Sequence, residues 1–120
     1  MVFYDRKGAP AVYLLNDGEH LYFFDGRPAA YLLEDAVYAF DGEQLGWLER
    51  GWIRDLDGRC VLFGDQPLFE GPARPSRKEP PARQEPKARP FRRQRRQKTA
   101  KAAYKPVWSD VSPERFFGRT

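Results

Sequence analysis

Residues 36–48 read Ala36-Val37-Tyr38-Ala39-Phe40-Asp41-Gly42-Glu43-Gln44-Leu45-Gly46-Trp47-Leu48. Two β-prone runs flank an Asp-Gly pair, the strongest short-range signal for a β-hairpin. Gly42 has counterparts at Gly8, Gly26 and Gly58, which sets spacings of 18, 16 and 16 residues. Five residues after each glycine stands an aromatic: Tyr13, Tyr31, Trp47, Phe63. Three after stands an aliphatic (Ala11, Ala29, Leu45, Val61), and five before an apolar residue (Phe3, Leu21, Val37, Ile53). Agreement at three flanking positions around four anchors marks an internal repeat.

Each unit has the length of one hairpin, because a propeller blade takes roughly 40–45 residues. Asp25-Gly26, Asp41-Gly42 and Asp57-Gly58 predict two-residue type I′ turns, with both residues at positive φ. Lys7-Gly8 departs from that pattern and predicts a longer first turn. With Asp25-Gly26 at the turn, Tyr22 should face Ala29 and His20 should face Tyr31. One face then carries Tyr22, Phe24, Tyr31, Tyr38, Phe40, Leu45, Trp47, Trp52, Leu56, Val61 and Phe63, and it is the expected core. The other face carries Leu21, Val37 and Ile53, with small partners Ala30 and Gly46, and is expected to be partly covered. A lone hairpin is marginal in water, so the four must pack together. The expected fold is all-β: four short hairpin repeats in a pseudo-fourfold arrangement over residues 1–70.

Charge divides the chain. Residues 1–73 hold 6 Lys/Arg and 13 Asp/Glu, a balance of 6 − 13 = −7. Residues 74–107 hold 13 Lys/Arg and 2 Glu, a balance of 13 − 2 = +11. Of the 18 aromatics, 13 lie in the first 70 residues, which compensates for a core too small to be stable on ordinary burial. Self-association, or packing of the C-terminal end onto the head, would add to it. Cys60 is the sole cysteine, so no intramolecular disulfide can form. No signal-like or membrane-spanning apolar run is present, and the expected location is the cytoplasm.

Residues 71–106 read as a disordered basic linker. Residues 71–90 contain six prolines and no large apolar side chain, a composition that stays extended and solvated. The cationic run around Arg92, Arg93, Arg95, Arg96, Lys98 and Lys101 suits the phosphates of nucleic acid or another polyanion. A solvated tail drawn to the acidic head explains the same charges equally well. Residues 107–120 regain apolar character. Ser112-Pro113-Glu114 suits a helix start, with Ser at the cap and Pro at the first helical position. Trp108, Phe116 and Phe117 are expected to dock on the module or on a partner.

Chemistry for catalysis is sparse. His20 is the single histidine and makes no zinc site with one cysteine. Cys60 would need His20 as its base, and a structural role suits both residues better. Asp25, Asp41 and Asp57 could be gathered by symmetry into a carboxylate ring for calcium. Asp before Gly in a turn is explained by its tolerance of left-handed backbone, and Lys7 breaks the ring. No catalytic, cofactor-binding or metal-binding residue is therefore assigned.

Phe24-Asp25-Gly26 with Tyr31-Leu32, Phe40-Asp41-Gly42 with Trp47-Leu48, and Gly51-Trp52-Ile53-Arg54-Asp55-Leu56-Asp57-Gly58-Arg59-Cys60-Val61 together resemble the bacterial four-fold β-flower domain over about residues 1–65. The resemblance implies four hairpin petals around a central axis and brings no active site. The expected function is a non-enzymatic interaction module with a polyanion-binding tail. The alternative is a small-molecule or carbohydrate module using Tyr22, Tyr38, Trp47 and Trp52 as a surface platform, the tail being a tether.

Overall fold

The computed structural model describes residues 1–67, 71–96 and 99–118. Eight strands form a closed antiparallel barrel in chain order: β1 (Val2–Tyr4), β2 (Pro10–Leu14), β3 (His20–Phe23), β4 (Pro28–Leu33), β5 (Ala36–Tyr38), β6 (Gln44–Glu49), β7 (Trp52–Asp55) and β8 (Cys60–Phe63). The pairing Tyr4↔Phe63 between β1 and β8 closes it. A helical turn, α1 (Pro113–Phe116), follows near the C-terminus, with the Ser112 side chain accepting from the Arg115 N–H.

All four hairpins turn in the same way. In the second, the Phe23 N–H donates to the Arg27 carbonyl and the Gly26 N–H donates to the Phe23 carbonyl. The same pair of bonds recurs at Asp5/Ala9/Gly8, Ala39/Glu43/Gly42 and Asp55/Arg59/Gly58. Gly26 sits at φ +93°, whereas Asp25 is not among the residues at positive φ. These are three-residue loops, a type I turn closed by a left-handed glycine in a β-bulge. They replace the expected two-residue type I′ turns, and the first loop is no longer than the rest. Carboxylates stabilise the loops: Asp25 accepts from the Arg27 N–H and Asp41 from the Glu43 N–H. Asp5 and Asp55 serve the first and fourth loops. The extra residue shifts the register, so His20 faces Tyr31 but Tyr22 faces Pro28 rather than Ala29. Bulges at the same place in every hairpin increase strand twist, which a barrel this narrow requires.

The barrel interior is built from the cross-strand pairs Phe3↔Val12, Leu21↔Ala30, Val37↔Gly46 and Ile53↔Leu62, one per hairpin. Their apolar side chains are fully buried in one cluster. This reverses the expected faces. The Leu21, Val37, Ile53 face is the core, and the large aromatics point outward. A closed barrel of eight short strands has an interior just wide enough for side chains to fill it, here mostly aliphatic ones together with Phe3. At Gly46 a Cβ would stand 1.8 Å from the Arg54 carbonyl oxygen of the neighbouring strand, so β6 and β7 approach too closely there for any side chain.

The outward aromatics are nonetheless buried. They meet at the junctions between hairpins as the pairs Tyr13↔Tyr22, Tyr31↔Tyr38 and Tyr4↔Phe63, with ring centroids 6.3, 5.7 and 5.6 Å apart. The fourth junction holds Trp47↔Arg54. What covers them is the rest of the chain. Trp108 packs on Trp52 and Phe63 at 5.9 and 6.1 Å. Phe116 and Phe117, 7% and 3% exposed, join the interior cluster. Residues 71–96 and 99–106 form neither helix nor strand, in keeping with their prolines, yet they lie hydrogen-bonded along the barrel. The reading of residues 71–106 as a disordered linker did not include those contacts. Among the described residues, no helix is long and apolar enough to cross a membrane.

Candidate polyanion interface

The basic segment behaves as a strap that visits the four hairpin tips in order. The N–H groups of Lys78, Lys87, Arg96 and Lys105 donate to the carbonyls of Gly8, Gly26, Gly42 and Gly58, at 2.9, 2.8, 3.0 and 3.1 Å. These donors are spaced nine residues apart. Two residues earlier in each step, the carbonyls of Ser76, Glu85, Gln94 and Ala103 lie against the same glycines. A Cβ on any of the four glycines would stand 2.1–2.4 Å from that oxygen. The repeated glycine thus serves two purposes, a left-handed turn and a seat for the strap. Additional bonds run from the Gln84 N–H to the Phe24 carbonyl and from the Arg93 N–H to the Phe40 carbonyl.

The strap carries its own repeat, which the sequence reading missed. Arg74, Arg83, Arg92 and Lys101 form one nine-residue series, and Lys78, Lys87, Arg96 and Lys105 form another. Prolines and a uniformly basic composition mask the period, and it has no hydrophobic component to attract notice. A search for recurrence of charge, rather than of apolar residues, would have found it.

Guanidinium groups cover the aromatic junctions. Arg83 lies 4.0 Å from the Tyr13 ring centroid and Arg92 3.8 Å from that of Tyr31, at equivalent strap positions. Arg77 over Tyr4 and Arg95 over Tyr38, both at 5.7 Å, form a second equivalent pair. At the fourth junction the partners are exchanged: Tyr104 comes from the strap and the barrel supplies Arg54, 4.7 Å apart. Such contacts are worth about 0.5–2 kcal/mol each, depending on how far the cation is desolvated.

The cations singled out from the sequence differ in their surroundings. Arg92 pairs with Glu19, and its Nη2 also lies 2.8 Å from His20 Nε2. Arg96 pairs with Glu43 at 3.3 Å, and Lys101 with Asp35 at 2.6 Å and Glu49 at 3.0 Å. The Arg92 guanidinium holds the Glu19 carboxyl below its ordinary range, and the two carboxylates raise the Lys101 ammonium. Arg95 stacks on Tyr38. The side chain of Arg93 is exposed and has no carboxylate partner among the described residues. Lys98 lies outside the described residues.

His20 and Cys60 have separate surroundings. His20 Nδ1 lies 2.6 Å from Asp17. Partial burial pushes the Asp17 carboxyl up, but the His20 side chain and the N–H groups of Glu19 and His20 outweigh it and draw it down to about 2. Cys60 is buried beneath the strap, with its Sγ 3.9 Å from the Lys105 carbonyl, and burial pushes the thiol up to about 11. A thiol so protonated is a poor nucleophile. Among the described residues, no group of three or more His, Cys, Asp or Glu side chains gathers to hold a metal ion.

A pseudo-fourfold β-barrel of four hairpins, belted by its own basic C-terminal strap, is the class of protein these features define. The chain matches the family model described as 4-fold beta flower protein over residues 1–117, and it belongs to that family. The matched region runs past the barrel and includes the strap and α1. No curated protein and no solved structure matches the chain.

Proposed function

We propose that this protein is a non-enzymatic interaction module whose cationic strap takes a polyanion, with nucleic acid the leading class. The observation that carries this reading is the strap's surplus of charge. Residues 74–107 hold 13 − 2 = +11, and among the described residues only Arg77, Arg92, Arg96 and Lys101 of the strap rest on carboxylates. The side chains of Arg74, Lys78, Lys87, Arg93 and Lys105 face solvent. Because the backbone anchors follow the barrel's symmetry, Lys78, Lys87 and Lys105 are spread around it, and a flexible polyanion could wrap across several of them.

The alternative platform of Tyr22, Tyr38, Trp47 and Trp52 has little support, since all four are 1–3% exposed beneath the strap or its neighbours.

The test replaces Lys78, Lys87, Arg93 and Lys105 together by Gln. Strap docking uses their backbone N–H groups, so the fold is retained. Binding of a nucleic acid should weaken, and the slope of log affinity against log salt should fall by about 0.7–0.9 for each phosphate that is no longer neutralised. Equal affinity and slope in the variant and the parent chain would refute the proposal.

A further inference from the structure

Phe91 breaks the strap's pattern. Its equivalents nine residues apart are Ala73, Ala82 and Ala100. The strap therefore needs only a small side chain at this position, and its anchors to the barrel are made elsewhere. Phe91 is 97% exposed, far above every other large apolar residue of the described chain. It belongs to no hydrophobic cluster and to none of the aromatic ring pairs. A whole aromatic ring is thus held in water where an alanine suffices. The backbone anchors Lys87 to Gly26 and Arg93 to Phe40 bracket it.

Its neighbourhood is cationic. Arg92 is committed to Glu19 and Tyr31, while Arg89 reaches the Tyr22 hydroxyl at 3.4 Å. Arg93 and Lys87 face solvent. A bare ring with exposed cations close by in the chain, Arg93 just after it and Lys87, which also faces Asp25, just before it, matches a ligand that carries both a flat π-face and phosphates. An unpaired nucleotide has both. A duplex hides its base faces within the stack, and a sulfated polysaccharide has none.

We infer that Phe91 is a base-stacking residue, and that the strap's ligand is single-stranded nucleic acid held by stacking on Phe91 and by phosphate contacts from Lys87 and Arg93. This inference rests on the polyanion reading above and narrows it. Stacking of a base on an aromatic side chain is worth about 1–3 kcal/mol, which corresponds to roughly a 5- to 150-fold change in affinity.

The test compares the full-length chain with Phe91→Ala and Phe91→Trp, against three probes: an oligo(dT) of about 12 nucleotides, the matching duplex, and heparin. Phe91→Ala should weaken oligo(dT) binding by about 5-fold or more and leave heparin and duplex binding within about twofold. Phe91→Trp should restore oligo(dT) binding, and its fluorescence should be quenched when the strand binds. An equal effect of Phe91→Ala on all three probes, or on none, overturns the stacking inference while the polyanion reading stands. Failure of the parent chain to bind any of the three overturns both.

Discussion

Gly58→Ala tests whether the strap is seated by its contact with the turn glycines. Gly58 is at φ +86°, and an added Cβ would stand 2.2 Å from the Ala103 carbonyl oxygen. Two costs follow, and they act on different equilibria. Left-handed backbone at an alanine costs about 1–2 kcal/mol, and the barrel bears that cost whether or not the strap is seated. The collision with Ala103 exists only while the strap is seated. Overpacking of this kind costs about 1–3 kcal/mol, and strap movement also breaks the Lys105–Gly58 hydrogen bond, worth about 0.5–1.5 kcal/mol. Local strap opening should therefore become easier by about 2–4 kcal/mol, roughly 30- to 700-fold. Cys60 is the reporter, because it is buried under residues 105–109 and its N–H and carbonyl bond to Val107 and Ser109. Its rate of labelling by an aromatic disulfide reagent, under native conditions, should rise by that factor. Gly18→Ala is the control. It has the same left-handed backbone, φ +70°, with nothing within 4 Å of the added Cβ, so it should lower stability without exposing Cys60. Labelling of Gly58→Ala at the parent rate, with the barrel still folded, would show that the strap is not seated by the glycines.

Ile53 is fully buried in the barrel interior, so Ile53→Ala should cost about 2–5 kcal/mol in chemical denaturation, whereas Leu33→Ala, at an exposed site, should stay within about 0.5 kcal/mol. Phe117→Ala should lower stability by about 3–5 kcal/mol, because the ring is buried against Phe23 at 5.7 Å; a loss below about 1 kcal/mol would mean the C-terminal turn is not part of the folded unit. Asp17 has its folded carboxyl at about 2 against an ordinary 3.8. The unfolded chain takes up its proton first, so the stability Asp17 contributes is complete above about pH 4 and is lost as pH falls toward 2. Asp17→Asn should flatten the acid limb of the stability curve in that window, and an unchanged limb would argue against the Asp17–His20 contact.

The number of hairpins and the positions of their turns were legible because they rest on local chemistry. A glycine that must take positive φ after a short polar residue is visible in any window of the chain. The details of the turn were less so. Type I′ and type I plus bulge both suit Asp-Gly, and the choice between them depends on the twist demanded by barrel closure, a property of all eight strands together. The strap was legible as basic and proline-rich but not as a partner of the barrel. Its bonds to Gly8, Gly26, Gly42 and Gly58 use backbone groups, which leave no side-chain signature beyond the need for glycine, and the turns alone explained the glycines.

The sequence by itself determined a four-hairpin all-β head, the acidic and basic halves, and the cap at Ser112. These follow from dihedral preference, hydrophobic spacing and charge count, which a residue carries wherever it is placed. Only the tertiary structure decided which face of each strand is the core. Alternation assigns two faces but not their order, and both are apolar here. The narrow barrel admits Leu21, Val37 and Ile53 and sends Tyr22, Tyr38 and Trp47 outward, where a second layer must cover them. That requirement is met by residues 71–96 and 99–106, which lie along the barrel as an outer wall. Phe91 is left out of that wall: at the equivalent strap positions stand Ala73, Ala82 and Ala100, and its ring remains in water.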